Sequence, residues 1–152
     1  MRTTVTLTTA TAPGAIALLQ LHGDGAVQLL RELAGVADWP GHLLRRCDFA
    51  GIDSGLAYLR NEAWAQLMPH GGPRVVRELI DAICERGATY QSQPDSQSLY
   101  PEAASAVEAD VLATIARAAS PAAIDLLAAQ PDLWRRAIRV RGRAPWVDVL
   151  AC

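Results

Sequence analysis

Leu67 to Ala88 reads LMPHGGPRVVRELIDAICERGA. Its chemistry is concentrated at His70, Gly71 and Gly72. Two glycines ahead of a helix leave backbone N–H groups without side-chain cover. The first turn of a helix also carries the positive end of its dipole. Such a turn can hold a carboxylate or a polarised carbonyl, with the His70 ring beside it. The same residues also suit a tight strand-to-helix connection that binds nothing.

A second concentration is basic. Arg135, Arg136, Arg139, Arg141 and Arg143 follow one another closely, flanked by Trp134 and Trp146. Residues 1–134 carry 9 Arg against 15 acids, a net −6, and residues 135–152 carry 5 Arg against 1 acid, a net +4. Guanidinium groups pair with phosphates and indole faces stack on bases, so the cluster suits RNA. It equally suits a solvated helix end.

Other chemistries are excluded or unsupported. All 14 basic residues are arginines, so no GxxxxGK[ST] phosphate loop and no Schiff-base lysine exist in this chain. His22, His42 and His70, with Cys47, Cys84 and Cys152, lack zinc-ligand spacing, and no metal is expected. No Ser-His-Asp or Cys-His order stands out. Glu108 and Asp110 read as an exposed helix face. The three cysteines suit a reducing cytosol better than a disulfide framework. The N terminus lacks a signal-like apolar core, and no run approaches a membrane span. These features predict a soluble cytoplasmic protein with no membrane partner.

Short elements must position these residues. Thr3–Thr9 reads as a strand, and Ala15–Leu21 as a buried central one. Asp24 is a candidate N-cap for a helix over 25–34. Strands follow at Leu43–Ala50, Gly55–Arg60 and Glu62–Met68. In the last, Ala63, Ala65 and Leu67 alternate against Glu62, Trp64, Gln66 and Met68, the wetter face. Residues 72–86 form the clearest helix, with Val75, Val76, Leu79, Ile80, Ile83 and Cys84 as one apolar stripe. Pro73 opens it and Gly87 stops it. Ala88–Gln93 gives a last strand.

The composition then changes. An α+β domain over 3–93 is followed by a polar linker at 94–98, the start of a helical region over 99–141, and a tail at 142–152. Helices are predicted over 101–118, 122–130 and 131–139, punctuated by Pro121 and Pro131. The ending WVDVLAC reads as an unfinished helical domain.

These motifs resemble the N-terminal domain of the tRNA-modification GTPase MnmE (TrmE) family. TATAPG stands for the family's TPPG-like turn, AIALLQLHG for its second strand, and DGAVQLLREL for the helix after it. Asn61-Glu62 precedes AWAQLMP, as the family's Gly-Glu-Asp precedes a strand. His70-Gly71-Gly72-Pro73 then starts the helix that ends near Gly87-Ala88. The likeness covers roughly residues 3–118. It implies a fold of the glycine-cleavage T-protein type, β-β-α-β-β-β-α-β followed by helices. It also implies a homodimer, and a 5-formyl-tetrahydrofolate bound by Glu62, His70, Gly71 and Gly72. It further implies a tRNA-modification context with tRNA or a modification protein as partner, and no catalysis by this chain alone.

The family's arginines are missing. Ala15 follows the turn directly, and Gln20-Leu21-His22 stand where an arginine precedes the next glycine. Arginine is the natural partner of a folate's carboxylate tail. The rival expectation is therefore a degenerate interaction scaffold that binds no small molecule and only pairs protein chains.

Overall fold

The computed structural model describes residues 3–9 and 13–141. The chain is mixed α+β, with six strands and five helices among the described residues. The strands are β1 (Thr4–Leu7), β2 (Leu19–His22), β3 (Leu44–Phe49), β4 (Asp53–Asn61), β5 (Trp64–Met68) and β6 (Thr89–Tyr90). The helices are α1 (Ala26–Ala34), α2 (Pro73–Glu85), α3 (Ser96–Leu99), α4 (Ala106–Ile115) and α5 (Pro121–Arg141). Two compact units divide between Ser98 and Leu99.

In the first unit the strands form one open sheet in the order β3-β4-β5-β2-β1-β6. Pairs are antiparallel except β1 with β6. β5 and β6 therefore run the same way, and α2 makes the crossover that parallel strands require. Val5, Leu21, Ala65 and Leu59 stand in register across four strands, and all are buried. α1 lies over β3 and β5, α2 over β1 and β6, and their buried residues join one core. Val76, Leu79 and Ile83 are the buried stripe of α2. Burying each such side chain contributes roughly 2 kcal/mol.

The opposite sheet face carries a ribbon of Thr6, Gln20, Gln66 and Tyr58. Gln20 is buried, and its side-chain amide donates to the Ser98 carbonyl. Further along this face Leu44 and Leu56 are exposed. Trp64, expected on the wetter side, is instead buried with its ring under the Arg60 guanidinium at 5.0 Å.

Several boundaries differ from the sequence expectation. The second strand begins at Leu19 rather than Ala15. Its pairing with β5 does continue outward to an isolated bridge between Ile16 and His70. Ala17 donates to the Pro69 carbonyl at 3.0 Å, but Pro69 has no N–H to return, so the ladder breaks there. The cap of α1 is Gly25 with no side-chain cap bond, not Asp24. Gly25 N–H donates to Thr3 Oγ1 at 2.9 Å. Within the polar 94–98 segment Asp95 accepts from Ser98 N–H at 2.7 Å and starts the short α3.

The second unit is helical. α4 starts at Ala106 rather than Pro101. Ser105 Oγ accepts from Glu108 N–H at 3.2 Å, and the Glu108 carboxylate accepts from Ala104 N–H at 3.0 Å. That is a capping box in all but the last donor. α5 runs unbroken through Pro131, where two helices were expected. A proline there removes one N–H donor, and the turns on both sides carry the helix across. Among the described residues, no helix is long and apolar enough to cross a membrane.

Candidate functional site

β5 leads outward through buried Pro69 to His70 and the two glycines. Segment 14–17 runs beside this stretch. Gly71 N–H donates to the Ala15 carbonyl at 3.1 Å, and Gly14 N–H donates to the Gly71 carbonyl at 3.2 Å. The two backbones are so close that a Cβ on Gly71 would stand 2.8 Å from the Gly14 carbonyl carbon and nearer still to its oxygen. Gly71 is therefore required by the fold itself. Gly72 is different. It is the N-cap of α2 with extended backbone, and a Cβ there would meet only Val75 Cγ2 at 3.8 Å. α2 has no side-chain cap, and Pro73 sits in its first turn. Its remaining first-turn N–H groups have no intrahelical acceptor.

His70 is tied to Asp53, a residue the sequence reading did not single out. The Asp53 carboxylate accepts His70 N–H at 2.8 Å and lies 2.8 Å from His70 Nδ1. A carboxylate needs a donor, so Nδ1 carries the proton and Nε2 is left outward. The His70 side chain is 69% exposed and that of Asp53 only 13%. Burial raises the Asp53 pKa, but hydrogen bonds from His70 and from Ser54 N–H outweigh it and hold the carboxyl below its ordinary value. A depressed carboxyl stabilises the fold above its unfolded pKa of about 3.9, and that contribution is lost as pH falls through the folded value. The stability advantage of wild type over Asp53→Asn should therefore shrink steadily from pH 5 to pH 3. Denaturant midpoints of both proteins across that range check this; a constant difference would refute it.

Beside the turn a cavity of about 350 Å³ opens between α2 and the edge of the sheet. Gly14, Gly71 and Pro73 line it from the turn, and Leu7, Val76 and Ile80 line it with apolar surface. Thr9, Arg77, Asp81 and Tyr90 supply its polar groups. The size falls in the range of small-molecule sites, and apolar walls with a few polar groups are typical of them. Arg77 and Asp81 were not foreseen, although Pro73, Val76, Arg77, Ile80 and Asp81 follow the i, i+3, i+4, i+7, i+8 spacing of one helix face.

The other expected residues lie apart. Glu62 is exposed in the β4–β5 turn, at the opposite end of β5 from Gly71, and its backbone carbonyl accepts from Val27 N–H at 3.3 Å. Within one chain it does not join His70, Gly71 and Gly72. Arg135, Arg136 and Arg139 are exposed on α5, and Arg135 pairs with Asp132 at 3.3 Å. Trp134 does not stand among them; it lines a cleft with Val107, Val111 and Thr114 of α4. The Arg141 side chain, Arg143 and Trp146 lie outside the described residues. Among the described residues no three His, Cys, Asp or Glu side chains gather as a metal site. No protein-family model matches this chain, nor does any curated protein sequence.

Proposed function

We propose that the chain is a divergent module of the MnmE N-terminal type, with the T-protein-like fold that this family implies. It binds a folate-type ligand, 5-formyl-tetrahydrofolate or a close relative, and pairs as a homodimer in a tRNA-modification context in the cytoplasm. It has no catalysis of its own. The observation that carries this reading is the cavity beside the Gly71 turn, where Gly71 and Pro73 meet an apolar wall of Leu7, Val76 and Ile80 with Arg77 and Asp81 as its charged groups. The element order β-β-α-β-β-β-α-β supports it. Exposed Leu44 and Leu56, diagonal neighbours toward the β3 edge of the sheet face opposite α1 and α2, supply apolar surface for a second copy. Glu62 and the Gly71 turn, distant within one chain, can then serve a site completed across two chains. Arg135, Arg136, Arg139, Arg141 and Arg143 serve as the tRNA contact.

Without the family's arginines the affinity is low. Each lost charge-assisted contact costs on the order of 1.5–3 kcal/mol, so two losses weaken binding by several hundredfold or more. Calorimetric titration with 5-formyl-tetrahydrofolate tests the reading, with light scattering for the dimer. Wild type should bind in the high micromolar range and scatter as twice the chain mass. Gly72→Val should fold, since its surroundings are open, but lose binding by crowding the backbone. No binding at millimolar ligand would overturn the folate reading, and a clean monomer would overturn the dimer.

One observation favours the scaffold alternative. Gly71 already has a complete explanation in the Gly14 contact. A chain that binds no small molecule would keep that glycine all the same, and the titration decides between the two.

A further inference from the structure

Arg77 and Asp81 stand four residues apart on α2, and both line the cavity. That spacing sets two side chains next to each other on one helix face. Arg74 and Glu78 have the same spacing on the same helix and close into an ion pair at 2.7 Å. Arg77 and Asp81 do not. Among the described residues Arg74 pairs with Glu78 and Arg135 with Asp132, and His70 hydrogen-bonds Asp53. α2 therefore neutralises one charged pair in solvent and leaves the other open at the mouth of a cavity. A donor fork and a two-oxygen acceptor stand one helical turn apart there, beside the apolar residues of the cavity.

We infer that Arg77 and Asp81 together read one edge of a 2-amino-4-oxo-pyrimidine ring, the head of a pterin. The inference rests on the folate-type reading of this site and specifies which end of the ligand enters. Such a ring presents two adjacent N–H donors, at the 2-amino group and N3, followed by the oxygen at position 4. The Asp81 carboxylate is matched to the donor pair, and the Arg77 guanidinium to the oxygen. The flat faces of the ring suit Val76, Ile80 and the Tyr90 side chain. Selectivity follows from the rule that a wrong group at either end leaves a polar atom unpaired.

Three small rings test this: pterin, lumazine, which has oxygen in place of the 2-amino group, and 2,4-diaminopteridine, which has an amino group in place of the oxygen at position 4. Their binding to the full chain is followed by their own fluorescence and by calorimetry. Wild type should prefer pterin over each of the others by about tenfold or more. Asp81→Asn should erase the preference over lumazine, and Arg77→Met should reduce the preference over 2,4-diaminopteridine to the part due to that ring's missing N3–H. Both residues are exposed, so both variants should melt with the wild type. If wild type binds pterin and both variants keep its preferences, the assignment of the pair fails and the pterin reading stands. If 5-formyl-tetrahydrofolate binds but the bare rings do not, the ring is not read here and only this inference falls. If none of the four compounds binds, both readings fall.

Discussion

Gly71→Ala should destabilise the protein by about 3 kcal/mol or more, the cost of overpacking together with disrupted backbone bonds. The added Cβ would stand 2.8 Å from the Gly14 carbonyl carbon. The obstacle is backbone, not the end of a flexible side chain, so the two segments must part. Parting them stretches Gly71 N–H to Ala15 and Gly14 N–H to Gly71. It also disturbs buried Pro69 and the entry to α2. Gly72→Ala is the matched control. Its Cβ meets Val75 Cγ2 at 3.8 Å, and its φ of −67° is ordinary for any residue. Its stability should stay within about 0.5 kcal/mol of wild type. Urea denaturation of the three proteins measures both differences. A Gly71→Ala protein as stable as wild type would show that segment 14–17 does not pack on the turn.

The contrast between these neighbouring glycines also marks what the sequence made legible. The strand, the turn and the helix after it were readable because α2 carries an unambiguous stripe, Val76, Leu79 and Ile83, between Pro73 and Gly87. The two glycines were not distinguishable, because what separates them is a chain segment more than fifty residues upstream. Asp53 was invisible for the same reason. Nothing local marks a residue seventeen positions before His70 as its partner. Arg77 and Asp81 were overlooked for a different reason. At i, i+4 they read as an ordinary solvated ion pair, and only the cavity beside them gives them another use. The separation of Glu62 from the turn was not legible either: residues close in sequence are far apart when a strand of five residues, at about 3.3 Å each, lies between them.

Trp134 shows the same limit in a helix. Successive residues rotate by about 100°, so it stands well round the axis from Arg136 and Arg139. It packs toward α4 instead of sharing a face with them. This geometry sharpens the expected effect of the basic cluster on RNA. Replacing Arg135, Arg136 and Arg139 with alanine keeps α5 intact, since alanine is at least as good a helix former. Each phosphate contact contributes roughly 0.7–0.9 to the slope of log affinity against log salt. Three contacts would remove more than about 2 from that slope, but Arg135 already shares its charge with Asp132. The expected loss is therefore nearer that of two contacts, about 1.4–1.8, with tRNA binding roughly 25- to 60-fold weaker at 0.1 M salt. Trp134→Ala should leave the slope unchanged and instead loosen the packing of α4 on α5, seen as a lower melting temperature. Filter binding of tRNA across a salt series, with thermal melts of both variants, measures each effect. An unchanged slope in the triple variant would assign the arginines to solvent. A slope lowered by Trp134→Ala would mean that the indole turns away from α4 to stack on the RNA.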